Sequence, residues 1–167
     1  MLNAFFLSAL LFFQPMSRDA YVKSLASWAG CTANVETDDT ASPVDSFYRY
    51  HNLYIGTDPK APDYVLETVV FHEVGHCLQY QQNYMRDLWF SEGIIAVELD
   101  ADRWSAQLMC GRGWDGMKRL HDTFVWLLHE YSYRGDYFHG TLDQRISQGE
   151  KADYCKVNPQ QAPFQSR

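Results

Sequence analysis

Two histidines four residues apart, with a glutamate between them, are the residues whose types and spacing could do chemistry together. They lie in His72-Glu73-Val74-Gly75-His76. On an α-helix, residues four apart share a face and stand about 6 Å apart along the axis, so both imidazoles can reach one metal ion. Glu73 follows His72 by one residue and so points beside such an ion, where its carboxylate could hold and deprotonate a water. The bland alternative is a core helix whose two histidines are satisfied by hydrogen bonds.

The element that must position them is readable around the motif. Val65, Val69, His72 and His76 form one stripe at helical spacing, and Leu66, Val70, Val74 and Leu78 form another. A helix apolar on nearly every side is a buried one, and histidines inside it need a metal or a hydrogen-bond partner. Pro62 and Asp63 suit its N-terminus, and it should fade around Gln81 to Asn83. Gly75 costs about 1 kcal/mol of helix propensity, which predicts close backbone packing beside the site.

Two histidines leave a catalytic zinc site one protein ligand short. Glu92, in Trp89-Phe90-Ser91-Glu92-Gly93, matches the W-x-x-E-G of zinc aminopeptidases, but residue 96, one turn later, is Ala. Glu98, in Glu98-Leu99-Asp100-Ala101-Asp102, has a carboxylate one turn further on. Asp102 could accept the N–H of a ligating histidine and fix its tautomer, so Glu98 is the preferred ligand and Asp102 its companion. The rival reading makes Asp100, Asp102 and Arg103 a solvated helix face.

The bulk numbers bound the rest. At 167 residues the chain suits one domain with a real core, and its net charge of −7 argues against nucleic acid and anionic membrane surfaces as partners. Leu2 to Phe13 is an apolar run too short to span a bilayer, which needs about 20 residues, and is read as an export signal or trimmed membrane anchor. Four cysteines, Cys31, Cys77, Cys110 and Cys155, without a C-x-x-C pair, fit two disulfides in an oxidising compartment with three connectivities open. The expectation from those features is an exported protein, periplasmic or secreted, with the N-terminal segment as its candidate membrane anchor; the alternatives are reduced, buried cysteines and an ordinary N-terminal helix packed on the domain.

In chain order, a short helix is expected over Asp19 to Trp28, then a polar, turn-rich stretch from Cys31 to Pro43. Phe47 to Ile55 reads as one strand or a hairpin arm, and a strand there could be an edge on which an extended peptide lies. After the central helix, Ser91 can cap a second long helix to about Cys110, stopped by Gly111-Arg112-Gly113. A third, amphipathic helix covers Trp114 to Tyr131. An aromatic loop from Tyr133 to Gly140 and a short helix over Leu142 to Gln148 follow, and the residues after Cys155 read as solvated coil.

Three stretches in this order carry a resemblance. His72-Glu73-Val74-Gly75-His76-Cys77-Leu78-Gln79, Val97-Glu98-Leu99-Asp100-Ala101-Asp102 and His139-Gly140-Thr141-Leu142-Asp143-Gln144-Arg145 resemble the bacterial neutral zinc metallopeptidase family. The order is also found in the membrane CAAX prenyl proteases. The likeness covers about residues 44 to 150, with Cys77 standing where the family pattern has His and Arg103 where it often has Cys. It implies a gluzincin: Zn2+ on His72, His76 and Glu98, Glu73 as general base, and a peptide or protein substrate. It also brings His139 back toward the metal as a donor to the developing oxyanion, with Tyr137 as the rival donor and Arg145 anchoring the segment on a carboxylate.

The fold class that follows is α+β, a mainly helical zincin-like metallopeptidase domain with a small β-sheet or hairpin before the active-site helix. Residues 1–20 are assigned to the leader, 21–155 to the domain and 156–167 to a flexible tail. The function expected is peptide-bond hydrolysis by a zinc-activated water. The alternative is a zinc-stabilised, catalytically weak or inactive binding module of the same fold.

Overall fold

The structure, a computed structural model, describes residues 16–137, 139–152 and 155. The expected leader falls mostly outside these residues, and the expected tail wholly so. The fold is mixed α+β and mainly helical, with a small sheet on the N-terminal side of the central helix.

Helix α1 (Arg18–Trp28) starts where the Ser17 side chain accepts the Ala20 N–H. It therefore takes in residues 18–20, which the sequence reading gave to the leader. Arg18 ties this end to the domain by donating to the Asp58 and Ala61 carbonyls at 2.9 and 2.6 Å.

The sheet contains β1 (Asn34–Asp38), β2 (Phe47–Arg49) and β3 (Asn52–Gly56) in the order β1-β3-β2. β1 lies in the stretch expected to be only turns. Its residues are polar because it is an edge strand with one apolar anchor, Val35, packed against the core and opposite Leu53 of its parallel neighbour. The expected strand from Phe47 to Ile55 is a hairpin, β2 and β3 pairing antiparallel with Tyr48 opposite Leu53. β3, the strand nearest in sequence to the histidine helix, is central and buried, so it offers no edge to a peptide; the open edges are β1 and β2.

Helix α2 (Asp63–Gln81) is buried from Val65 to Gln79 except at Val69, as its all-round apolar pattern requires. It separates two apolar clusters. On one side Val22 and Leu25 of α1, Leu53 and Ile55 of β3 and Phe71 of α2 pack together with Trp104. On the other, Val65 meets Leu120, Phe124, Leu127 and Leu142. Burying each such Leu or Phe is worth about 1.5–3 kcal/mol, so α2 is held from both faces.

The second long helix of the sequence reading is two helices, α3 (Met85–Glu92) and α4 (Ile94–Gly111). The break is Gly93, whose φ of +90° lies outside the range other residues adopt readily. Ser91 therefore sits inside α3 and caps nothing. α4 makes the most extensive contact with α2. A Cβ on Gly75 would stand 3.0 Å from both the Cα and the carbonyl oxygen of Ala101, so the two backbones touch where close packing was expected.

Helix α5 (Gly116–Tyr131) begins with the Asp115 carboxylate accepting the Lys118 N–H and lays its apolar face on α2 and α4. The expected loop after it contains a small hairpin, β4 (Gly135–Asp136) and β5 (Gly140–Thr141), which leads into α6 (Leu142–Ala152). The cysteines pair as Cys31–Cys77 and Cys110–Cys155, which selects one of the three connectivities and is compatible with an extracellular protein. Among the described residues no helix is long and apolar enough to cross a membrane.

Candidate metal centre

Helical spacing alone places the first two groups of the site. His72 and His76 project from one face of α2 toward α4, where both are buried. Glu98 comes from the second turn of α4 and is also buried. Its Oε2 lies 3.2 Å from His72 Nε2 and 3.3 Å from His76 Nε2. The three ligand atoms all fall within 4.8 Å of one another, so this group could hold a metal ion. Glu92 stays on the exposed surface of α3 and takes no part in the group. The break at Gly93 separates the two glutamates.

The far nitrogens of both rings are occupied, as ligating imidazoles require. His72 Nδ1 meets Asp102 Oδ1 at 2.9 Å, and His76 Nδ1 meets Gln79 Oε1 at 2.9 Å. Asp102 is fully buried and is no part of a solvated face. Arg145 of α6 forks onto it, with Nε 2.7 Å from Oδ2 and Nη2 2.6 Å from Oδ1. The carboxylate expected to anchor Arg145 is therefore the same one that holds His72. The guanidinium also lies over the Phe124 ring, 4.6 Å from its centroid.

These contacts set the charges. Burial by itself pushes the Glu98 carboxyl up, but the His76 and His72 rings outweigh it and hold the group well below the usual carboxylate range. Asp102 is likewise pushed up by burial and pulled below its ordinary value by Arg145 and His72. Burial disfavours the His72 imidazolium, yet its bonds to Asp102 and Glu98 win and raise it to about 10.

Glu73 is 4% exposed and lines a small cavity with His72, His139, Arg145 and the apolar side chains of Val69 and Phe124. The β4–β5 hairpin carries His139 to the rim of the site, its Nε2 3.6 Å from Glu98 Oε2. Asp136 holds the other side of that ring, 2.7 Å from Nδ1. Tyr137 does not share this place. Its side chain is 85% exposed on the turn of the hairpin, and the tyrosine lining the cavity is Tyr133, whose hydroxyl donates to Asp136 at 3.2 Å.

Sequence reasoning assigned no role to Gln79, Tyr133 or Asp136. Gln79 was open to discovery, since it stands three residues after His76 on α2, whereas Asp136 meets His139 within a hairpin, where that helical spacing rule does not apply. Tyr133 carried no such signal, because its place comes from packing against Leu120, Phe124 and Leu127 of α5 and Leu142 of α6. No protein-family profile, curated protein or solved structure matches this chain.

Proposed function

We propose that the chain is a zinc-dependent peptidase of the gluzincin type, with a zincin-like fold akin to the bacterial neutral zinc metallopeptidases. The observation that carries this reading is the convergence of His72 Nε2, His76 Nε2 and Glu98 Oε2 beside a buried Glu73. Ligand atoms about 2.0–2.1 Å from a tetrahedral zinc ion stand about 3.3 Å from one another. The 3.2 and 3.3 Å separations from Glu98 to the two histidines suit that spacing. Two imidazoles and one carboxylate also form a donor set typical of catalytic zinc, which keeps one position open.

Zinc held by these residues would supply Lewis acidity and lower the pKa of a water toward about 7. The chain's own groups do the rest. Glu73, beside the ligands, takes the proton of the attacking water and passes it to the leaving amine. His139, with its Nδ1 held by Asp136, directs Nε2 toward negative charge developing on the peptide oxygen. Asp102 and Arg145 keep His72 in register, and Tyr133 replaces Tyr137 as the phenol facing this space. The two disulfides suit an exported enzyme acting on peptide or protein substrates.

A second reading, a zinc-stabilised binding module with weak catalysis, draws on the size of the cavity beside Glu73, about 50 Å³. That volume takes waters or a very small side chain. Zinc content by elemental analysis, combined with hydrolysis of an unstructured peptide, separates the readings. Wild type should hold one zinc and cleave, and Glu73→Gln should keep the zinc and lose turnover. Cleavage persisting in Glu73→Gln would refute the mechanism, and a wild type that binds no zinc at neutral pH would refute the metal centre.

A further inference from the structure

His76 Nδ1 does not meet a carboxylate as His72 Nδ1 does; it faces an amide oxygen, Gln79 Oε1, at 2.9 Å. An amide can turn either end toward a ring nitrogen, so what fixes Gln79 decides what His76 can do. The fixing comes from α4. Gln79 is fully buried, and its Nε2 donates to the Val97 carbonyl at 2.8 Å and to Asp100 Oδ2 at 3.0 Å. Two acceptors on that nitrogen leave only the oxygen for His76. The ring must then donate from Nδ1, which leaves Nε2, the atom 3.3 Å from Glu98, as the nitrogen that can take a metal ion.

Asp100 is itself held. The Tyr84 hydroxyl donates to its Oδ2 at 2.6 Å, and Arg103 Nε donates to its Oδ1 at 2.8 Å. Trp104 Nε1 donates in turn to the Tyr84 oxygen at 2.6 Å. The chain of bonds runs from the residue that opens α3, through α4, to a ligand on α2.

We propose that Gln79 is a positioning residue that presets His76 as a metal ligand, and that Asp100, braced by Tyr84 and Arg103, locks the Gln79 amide in the required sense. This rests on the reading of His72, His76 and Glu98 as a metal centre, and it needs no assumption about peptidase activity. The chain thus holds its two histidines by different means, a buried ion pair behind His72 and an amide relay behind His76.

Titration with zinc alone, in competition with a chromophoric chelator, tests it on the full chain. Gln79→Met, which keeps the length and removes the acceptor, should weaken zinc binding by about 10- to 100-fold. Asp100→Ala should also weaken it, and Asp100→Asn, which keeps an oxygen for the Gln79 amide, should restore most of the loss. Zinc affinity unchanged in Gln79→Met would overturn the proposal and leave the metal centre standing. A wild type without zinc affinity would overturn both. If the variants fold poorly, nitrogen-15 NMR of zinc-loaded wild type decides. It should show a slowly exchanging proton on His76 Nδ1, and a freely exchanging one would overturn the proposal.

Discussion

The Asp102–Arg145 pair separates what the site owes to stability from what it owes to metal affinity. Asp102 is fully buried and accepts two bonds from Arg145, at 2.7 and 2.6 Å, and meets His72 Nδ1 at 2.9 Å. Arg145 is 5% exposed, so solvent cannot screen it if its partner is lost. Breaking a buried pair from one side costs about 3–5 kcal/mol, because the remaining charge is stranded. Asp102→Ala should therefore lower the melting temperature of chelator-treated protein by about 6–20 °C, at about 2–4 °C per kcal/mol for a chain of this size. It should also weaken zinc binding by about 10- to 100-fold, since His72 loses its acceptor.

The double variant Asp102→Leu, Arg145→Met removes both charges, and such apolar replacements are often neutral or stabilising. Thermal stability should then return close to wild type, but zinc affinity should not, because nothing receives the His72 Nδ1 proton. Thermal melts in chelator and zinc competition titrations read the two quantities independently. A single variant within about 1 kcal/mol of wild type would refute the stranded-charge argument. A double variant that regained zinc affinity would refute the role of Asp102 behind His72.

Two further outcomes follow from the packing. Glu98→Ala should remove bound zinc as judged by elemental analysis, and Glu92→Ala, on the exposed side of the Gly93 break, should keep it; the reverse result would move the third ligand to α3. Gly75→Val should destabilise the fold in urea by about 1–3 kcal/mol, because even a Cβ there would meet Ala101 backbone at 3.0 Å. Wild-type stability in that variant would mean that α2 and α4 can part without cost.

The local half of the site was legible in the sequence. Helix geometry alone puts His72 and His76 on one face and Glu73 beside them, and an apolar pattern on every side announces a buried helix. Those statements depend on neighbours within about one or two turns, which is the range that spacing controls. Asp102, one turn after Glu98, was readable for the same reason, and so was the close packing at Gly75.

The sequence favoured Glu98 over Glu92 through Asp102 one turn on, and the helix break that separates the two glutamates was not legible. The positive φ at Gly93 divides α3 from α4 and leaves Glu92 on the surface. β1 stayed hidden because an edge strand with polar residues on both sides has little alternation of its own. It exists because β3 supplies its hydrogen bonds and the core receives Val35.

Only the tertiary structure could decide which residues meet across elements. Arg145 finds Asp102 because α6 docks on α4, and His139 reaches Glu98 because a hairpin folds back, turning Tyr133 inward and Tyr137 out. Which end of the Gln79 amide faces His76 is decided only when Val97 and Asp100 are set against it. The meeting of Gln79 with α4 depends on the depth and register of α2 against α4, set by backbone contact at Gly75 and Ala101, and spacing along one helix carries no record of that register.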